Sequence, residues 1–238
     1  MIGHLRYACD TVFRFFLPDI CPACHSRPPS PVSGFCDVCS RDIRSFPGPR
    51  CKGCGATLDS ILELCGECLA LGGRPWEHAV SVFTYGGYVR ELVHRFKYNG
   101  DTCLAAVFGR HMRAPWESFG VAKPDLIVPV PAHWWRETVR GYNQSALLAK
   151  QVARSWAIPV RPLLRRRRWT RKQAMLGVEQ RRRNMKNVFM ARRNADLTGT
   201  RILLIDDVMT TGATLESATA ALIDAGADNI TVMTLARG

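Results

Sequence analysis

The 238-residue sequence has no run of about 18 apolar residues, the length a helix needs to cross a bilayer, which excludes a transmembrane helix. Its opening stretch, Met1–Phe16, has neither an uninterrupted apolar core nor a small-residue cleavage site. His4, Arg6, Asp10 and Arg14 break it, so a secretory signal is not expected. Residues 1–17 read instead as a short amphipathic helix. It packs on the body of the protein, or lays Val12, Phe13, Phe15 and Phe16 on a membrane surface. No G-x-x-x-x-G-K followed by Ser or Thr occurs, which excludes a P-loop NTPase. Acidic residues are scarce where basic ones are dense. From Arg161 to Arg193 thirteen Lys or Arg stand against one acid, Glu179, so this segment carries +12 of the formal +13. An excess held in one segment points to an anionic partner rather than to general solubility.

Ten cysteines are present, and eight form CxxC pairs: Cys21/Cys24, Cys36/Cys39, Cys51/Cys54 and Cys65/Cys68. Four thiolates from two such knuckles close the tetrahedral shell that structural zinc prefers. A disulfide framework is not expected in a chain placed in the reducing cytoplasm. Four evenly spaced pairs outside any βαβ unit argue against a redox role, and an iron–sulfur cluster is the lesser alternative. Residues 18–73 therefore read as a double zinc ribbon with two structural zinc ions. Sequential pairing is simpler than cross-braced pairing, and gaps of eleven, eleven and ten residues fit both. Cys9 and Cys103 stand outside the pattern and read as small buried apolar residues.

Leu71-Gly-Gly-Arg-Pro75 marks a boundary, and residues 74–238 form the second domain. There, strand patterns at Ala79–Tyr85, Asp125–Pro131, Arg201–Ile205 and Asn229–Leu235 alternate with helical patterns at Val89–Lys97, Tyr142–Ser155 and Leu215–Ala225. Such alternation predicts an α/β fold with a parallel sheet.

The chemistry concentrates in Arg201-Ile-Leu-Leu-Ile-Asp-Asp-Val-Met-Thr-Thr-Gly-Ala-Thr-Leu215. A buried strand runs into Asp206 and Asp207, then a small hydroxyl-rich loop, then a helix. Open α/β sheets bind ligands at this carboxyl edge. The backbone amides of Thr211–Thr214, the hydroxyls of Thr210, Thr211 and Thr214, and the helix dipole make a phosphate cradle. Gly212 is expected to let the backbone approach the ligand. The two carboxylates suit a ribose diol or hydrated magnesium.

Ile205–Thr214 resembles the phosphoribosyl pyrophosphate (PRPP) motif of type I phosphoribosyltransferases. The wider pattern resembles the ComF family, competence-associated proteins with an N-terminal zinc module. Phe96-Lys-Tyr-Asn-Gly100, Val128-Pro-Val-Pro131, Arg140-Gly-Tyr-Asn-Gln144 and Thr170-x-x-Gln173-x-x-Leu176 support it, with Arg181, Asn184 and Phe189. The resemblance implies a type I phosphoribosyltransferase fold behind a small zinc-ribbon module. It implies that Asp206 and Asp207 bind ribose hydroxyls and that Val208 and Thr210, Thr211, Gly212, Ala213 and Thr214 complete the PRPP site. It further implies that Arg136, Arg140 and Gly141 hold the pyrophosphate with magnesium, and that Thr170, Gln173, Leu176, Arg181 and Asn184 belong to a flexible loop over the site. Some purine-specific members carry a carboxylate where this chain has Thr210, so purine salvage loses support, and no hood segment identifies an acceptor.

The arginine-rich segment has three readings: a basic lid over PRPP, a solvated face, or a nucleic-acid contact. In the last, Arg165, Arg166, Arg167 and Arg168 meet phosphates and Trp169 stacks on a base of single-stranded DNA. Two functions follow. The chain is a phosphoribosyltransferase acting on an acceptor outside this sequence, or a PRPP- or DNA-binding module serving DNA uptake at the inner face of the membrane.

Overall fold

Cysteine spacing and apolar periodicity set the local elements, and the computed structural model shows how they pack. It describes residues 20–43, 48–58, 62–118, 121–132, 134–167, 188–192 and 197–238. The expected N-terminal helix at 1–17 and Cys9 lie outside these residues. The chain divides into two compact units, 1–44 and 45–238. Each unit contains one of the cysteine clusters.

In the smaller unit the chain turns at Cys21–His25 and enters helix α1, Asp37–Asp42. Phe35 and Ile43 are buried beside the cysteines and supply its apolar interior. In the larger unit, Cys51–Cys54 and helix α2, Gly66–Ala70, carry the second set of cysteines. The second knuckle lies along strand β1, His78–Thr84. Ala79 N–H donates to Lys52 C=O at 2.7 Å, Ser81 Oγ to Cys54 C=O at 3.4 Å, and Trp76 Nε1 to Gly53 C=O at 3.0 Å. An edge strand presents unpaired backbone groups, and the knuckle pairs one of them, Ala79 N–H.

The main sheet contains β1, β2 (Leu126–Pro129), β5 (Arg201–Met209) and β6 (Asn229–Arg237), in the order β1-β6-β5-β2. All three pairings are parallel, as the alternating pattern predicts. Residues 159–161 continue the sheet beyond β2 through Ile127 N–H to Pro159 C=O and Arg161 N–H to Ile127 C=O, both 3.0 Å. Helices α3 (Gly87–Tyr98), α4 (Leu104–Ser118), α5 (Trp134–Arg140), α6 (Gln144–Trp156) and α7 (Ala213–Ile223) connect the strands. α6 packs on β5 and β2, and α7 on β5. β5 is covered on both faces, which is why Ile202–Ile205 is apolar without a break. Ile202 and Leu204 share a core with Ala218 and Leu222 of α7.

Several elements go beyond the sequence reading, among them α4 and two short strands. α4 contains Gly109 and Pro115, both poor helix residues. A Cβ at Gly109 would overlap Gln151 Cβ on α6, so glycine is what allows the two helices to approach. β3 (Leu164–Arg166) and β4 (Phe189–Ala191) form a separate antiparallel pair at the two ends of the arginine-rich segment. Cys103, expected to be buried, is exposed just ahead of α4.

Candidate functional site

The eight paired cysteines meet as two sets, Cys21/Cys24/Cys36/Cys39 and Cys51/Cys54/Cys65/Cys68, with the four sulfurs of each within 4.8 Å of one another. Pairing is therefore sequential. Cys36 N–H points at Cys21 Sγ (3.3 Å), and Cys65 N–H at Cys51 Sγ (3.2 Å). Burial opposes ionisation of Cys21, but N–H donors from Cys36, Cys24 and Ala23 outweigh it and bring the thiol down to about 7. Beside the second set lie two guanidinium groups, Arg74 against Cys68 and Arg237 against Cys54. Arg74 Nε and Nη2 and Arg237 Nε are buried donors without a hydrogen-bond acceptor among the described residues. Metal-bound thiolates are the acceptors such donors require. Both clusters thus fit zinc in four-sulfur shells.

The second site opens where β2 and β5 end. A cleft of about 290 Å³ is lined by Asp206, Asp207, Val208, Thr210 and Thr214 from the β5–α7 connection, with Lys97, Tyr98, Arg140, Ser145 and Arg166 among the residues facing them. Ser145 Oγ and Asp207 N–H both donate to Asp206 Oδ1 at 2.9 Å. Burial and the neighbouring charge of Asp207 push the Asp206 carboxyl up from 3.8 to about 7, against those donors and Lys97. Lys97 Nζ lies 2.9 Å from Asp207 Oδ1. Burial works against the Lys97 charge, yet Asp207 and Asp206 prevail and raise its pKa.

Thr210, Thr211 and Gly212 make the turn into α7. Gly212 has φ +82, and Ala213 N–H reaches Thr211 Oγ1 at 3.4 Å. A Cβ on Gly212 would lie 2.7 Å from Arg74 Nη1. The space kept open by this glycine is occupied by an arginine of the protein itself.

The Arg140–Gln144 stretch serves as a brace. Tyr142 OH donates to Phe96 C=O (2.6 Å), Asn143 Nδ2 to Val130 C=O (3.1 Å), and Gln144 Nε2 to Lys97 C=O (3.4 Å). Asn143 Oδ1 caps α6 by accepting from Ala146 N–H at 3.3 Å. Three sequence motifs, around Phe96–Gly100, Val128–Pro131 and Arg140–Gln144, are thus one hydrogen-bonded unit. Arg140 itself lies with its guanidinium 4.6 Å from the centre of the Tyr98 ring and donates to Gln144 Oε1. Gly141 takes φ +78 in the turn between α5 and α6, and Arg136 lies on α5.

The arginine run divides at β3. Arg166 lines the cleft, its guanidinium 5.5 Å from the Phe189 ring, whereas Arg165 and Arg167 are exposed. Arg168, Trp169, Thr170, Gln173, Leu176, Arg181 and Asn184 lie outside the described residues. Sequence reasoning assigned no role to Lys97, Ser145 or Arg74. For Lys97 the signal was its place in Phe96–Gly100.

Residues 143–238 match the family model of the phosphoribosyl transferase domain, and residues 12–69 that of the double zinc ribbon domain. Competence protein F of Haemophilus influenzae is 34% identical, over 86% of this chain and 91% of its own length. The DNA utilization protein YhgH of Escherichia coli K12 is 31% identical, covering 93% and 98%. Among solved structures, the adenine phosphoribosyltransferase of Leishmania tarentolae aligns at 16% identity with a TM-score of 0.37, over 59% of this chain and 73% of that one. Both cysteine sets fall within residues 12–69, and the strand-to-helix turn at Thr210–Gly212 falls within residues 143–238. The chain belongs to the ComF family, with a double zinc ribbon ahead of a type I phosphoribosyltransferase fold.

Proposed function

We propose that the chain binds PRPP with magnesium in the cleft at the end of β5, and that it works in competence-related DNA uptake or utilisation. The observation that carries the first part is the convergence of Asp206, Asp207, Thr210 and Thr214 with Arg140 and Arg166 around one opening. Carboxylates accept from ribose hydroxyls, the α7 N-terminus attracts the 5′-phosphate, and the arginines face the pyrophosphate. The relatives named for competence and DNA utilisation, matched along nearly their whole length, support the second part.

In a transfer reaction the acceptor's lone pair forms a bond to ribose C1 as the C1–O bond to pyrophosphate breaks. Magnesium, held by Asp206, Asp207 and the substrate's own oxygens, would offset charge on the leaving group. Two carboxylates are a normal protein contribution for this cation, which keeps most of its shell from phosphates and water. Thr210 lines the cleft where a purine-directed carboxylate would stand, which favours an acceptor other than a purine base. Calorimetry with PRPP and magnesium tests the reading, with pyrophosphate release scored against candidate acceptors. Absence of PRPP binding by the zinc-loaded parent protein overturns it.

The exposure of Arg165 and Arg167 beside a cleft-facing Arg166 favours one additional role, contact with single-stranded DNA along the outer side of β3. The two uses employ different side chains of one strand and are compatible.

A further inference from the structure

The Arg74 side chain touches both the second cysteine cluster and the turn into α7. Its side chain is only 1% exposed. Toward the cluster it lies beside Cys68 and 3.8 Å from Glu67 Oε1. Toward the loop, Nη1 donates to Thr211 C=O at 3.0 Å and pairs with Glu216 on the first turn of α7. It occupies the space a Cβ on Gly212 would need, and its guanidinium lies 5.7 Å from the centre of the Trp76 ring. Trp76 in turn donates to Gly53 C=O between two of the cysteine ligands.

Zinc with four thiolates carries a net charge of about −2, and structural sites are closed shells that fix their own loops. Arg74 and Arg237 are set against this charge, and Glu67, which accepts from Arg237 Nη2 at 2.9 Å, bridges them. With zinc bound, Cys65 and Cys68 would share one metal and so fix Glu67 and Cys68 in place. The forked guanidinium transmits that position to Thr211, Gly212 and Glu216, a geometry that an ammonium group cannot reproduce.

We propose that Arg74 is a positioning residue through which the zinc centre at Cys51, Cys54, Cys65 and Cys68 shapes the phosphate loop, so that metal occupancy and phosphate binding are energetically coupled. The inference rests on the PRPP reading for its ligand and on geometry alone for the coupling. Linkage then requires that a ligand of the loop tighten zinc at the second centre, and leave the Cys21/Cys24/Cys36/Cys39 centre unaffected.

The test uses the full zinc-loaded chain, with Arg74→Lys and the parent compared. Chelator competition is combined with mapping of which cysteines become alkylated, and ribose 5-phosphate is the probe. In the parent, the probe should raise zinc affinity at the second centre by about fivefold or more and at the first by none. In Arg74→Lys, zinc content should stay at two per chain, the ligand effect should fall below about twofold, and amide exchange across Thr211–Leu215 should accelerate. Equal ligand protection in both proteins, or unchanged exchange in Arg74→Lys, overturns the coupling. If the parent binds neither ribose 5-phosphate nor PRPP, the proposed function fails, and amide exchange decides the coupling by itself. Faster loop exchange with both zinc ions retained upholds it, and unchanged exchange ends it.

Discussion

Lys97 Nζ stands 2.9 Å from Asp207 Oδ1, which joins the last turn of α3 to the end of β5. Asp206 is engaged as well, accepting from Ser145 and from the Asp207 backbone. The two adjacent carboxylates therefore have unlike surroundings, and their substitutions should behave differently.

Asp206→Asn keeps an oxygen for both donors and removes a charge that burial disfavours, so it should fold normally. Asp207→Asn leaves Lys97 without its partner in a largely enclosed site and should lower stability by about 1–2 kcal/mol. The double variant should lose magnesium-dependent PRPP binding. Calorimetry showing parental affinity in the double variant would disprove the site.

The raised Asp206 carboxyl gives a pH signature. Because the folded value of about 7 exceeds the ordinary 3.8, the folded state holds an extra proton across that interval. The contribution of this group to stability therefore declines as pH rises from about 4 to about 7, then levels off. The stability advantage of Asp206→Asn should grow by about 1–2 kcal/mol between about pH 5.5 and pH 7, allowing for partial solvent access to the cleft. Urea unfolding of both proteins measures it, and a constant difference would contradict the assignment.

Metal analysis should find two zinc ions per chain, one for each set of four sulfurs. Cys21→Ser removes a ligand and should release one zinc while loosening the first cluster, since metal binding there is folding energy. Cys103→Ser, at an exposed position, should leave zinc content and unfolding unchanged. Parental zinc content in Cys21→Ser would rule out the four-sulfur shell.

The division of the arginines at β3 separates two assays. Arg166→Ala should weaken PRPP binding and leave the salt dependence of single-stranded DNA binding intact. Arg165→Ala with Arg167→Ala should do the reverse, making the slope of log affinity against log salt shallower by about 1.4, at roughly 0.7 per phosphate contact. Identical behaviour of the two variants in both assays would refute the separation.

Local signals carried the sequence reading far. Four CxxC pairs, a continuous apolar strand and the Asp-Asp-Val-Met-Thr-Thr-Gly-Ala-Thr run are contiguous, so composition and spacing alone pointed to two metal shells and a strand–loop–helix site. α4 escaped because Gly109 and Pro115 are unfavourable in an isolated helix, and only contact with α6 explains the glycine.

What the chain indicated by itself was therefore the kind of groups on offer: thiolates suited to zinc, carboxylates and backbone amides suited to a phosphate-bearing ligand. Near-equal cysteine gaps could not distinguish sequential from cross-braced pairing, whereas sulfurs within 4.8 Å do. The pairing of Lys97 with Asp207, of Ser145 with Asp206 and of Arg74 with Thr211 in the Gly212 turn joins residues 61 to 137 positions apart. Such contacts leave no periodicity in the sequence. They exist only once the parallel sheet has brought the ends of β2 and β5 together and the second zinc knuckle has covered the edge of β1, because burial then makes each charge require a partner.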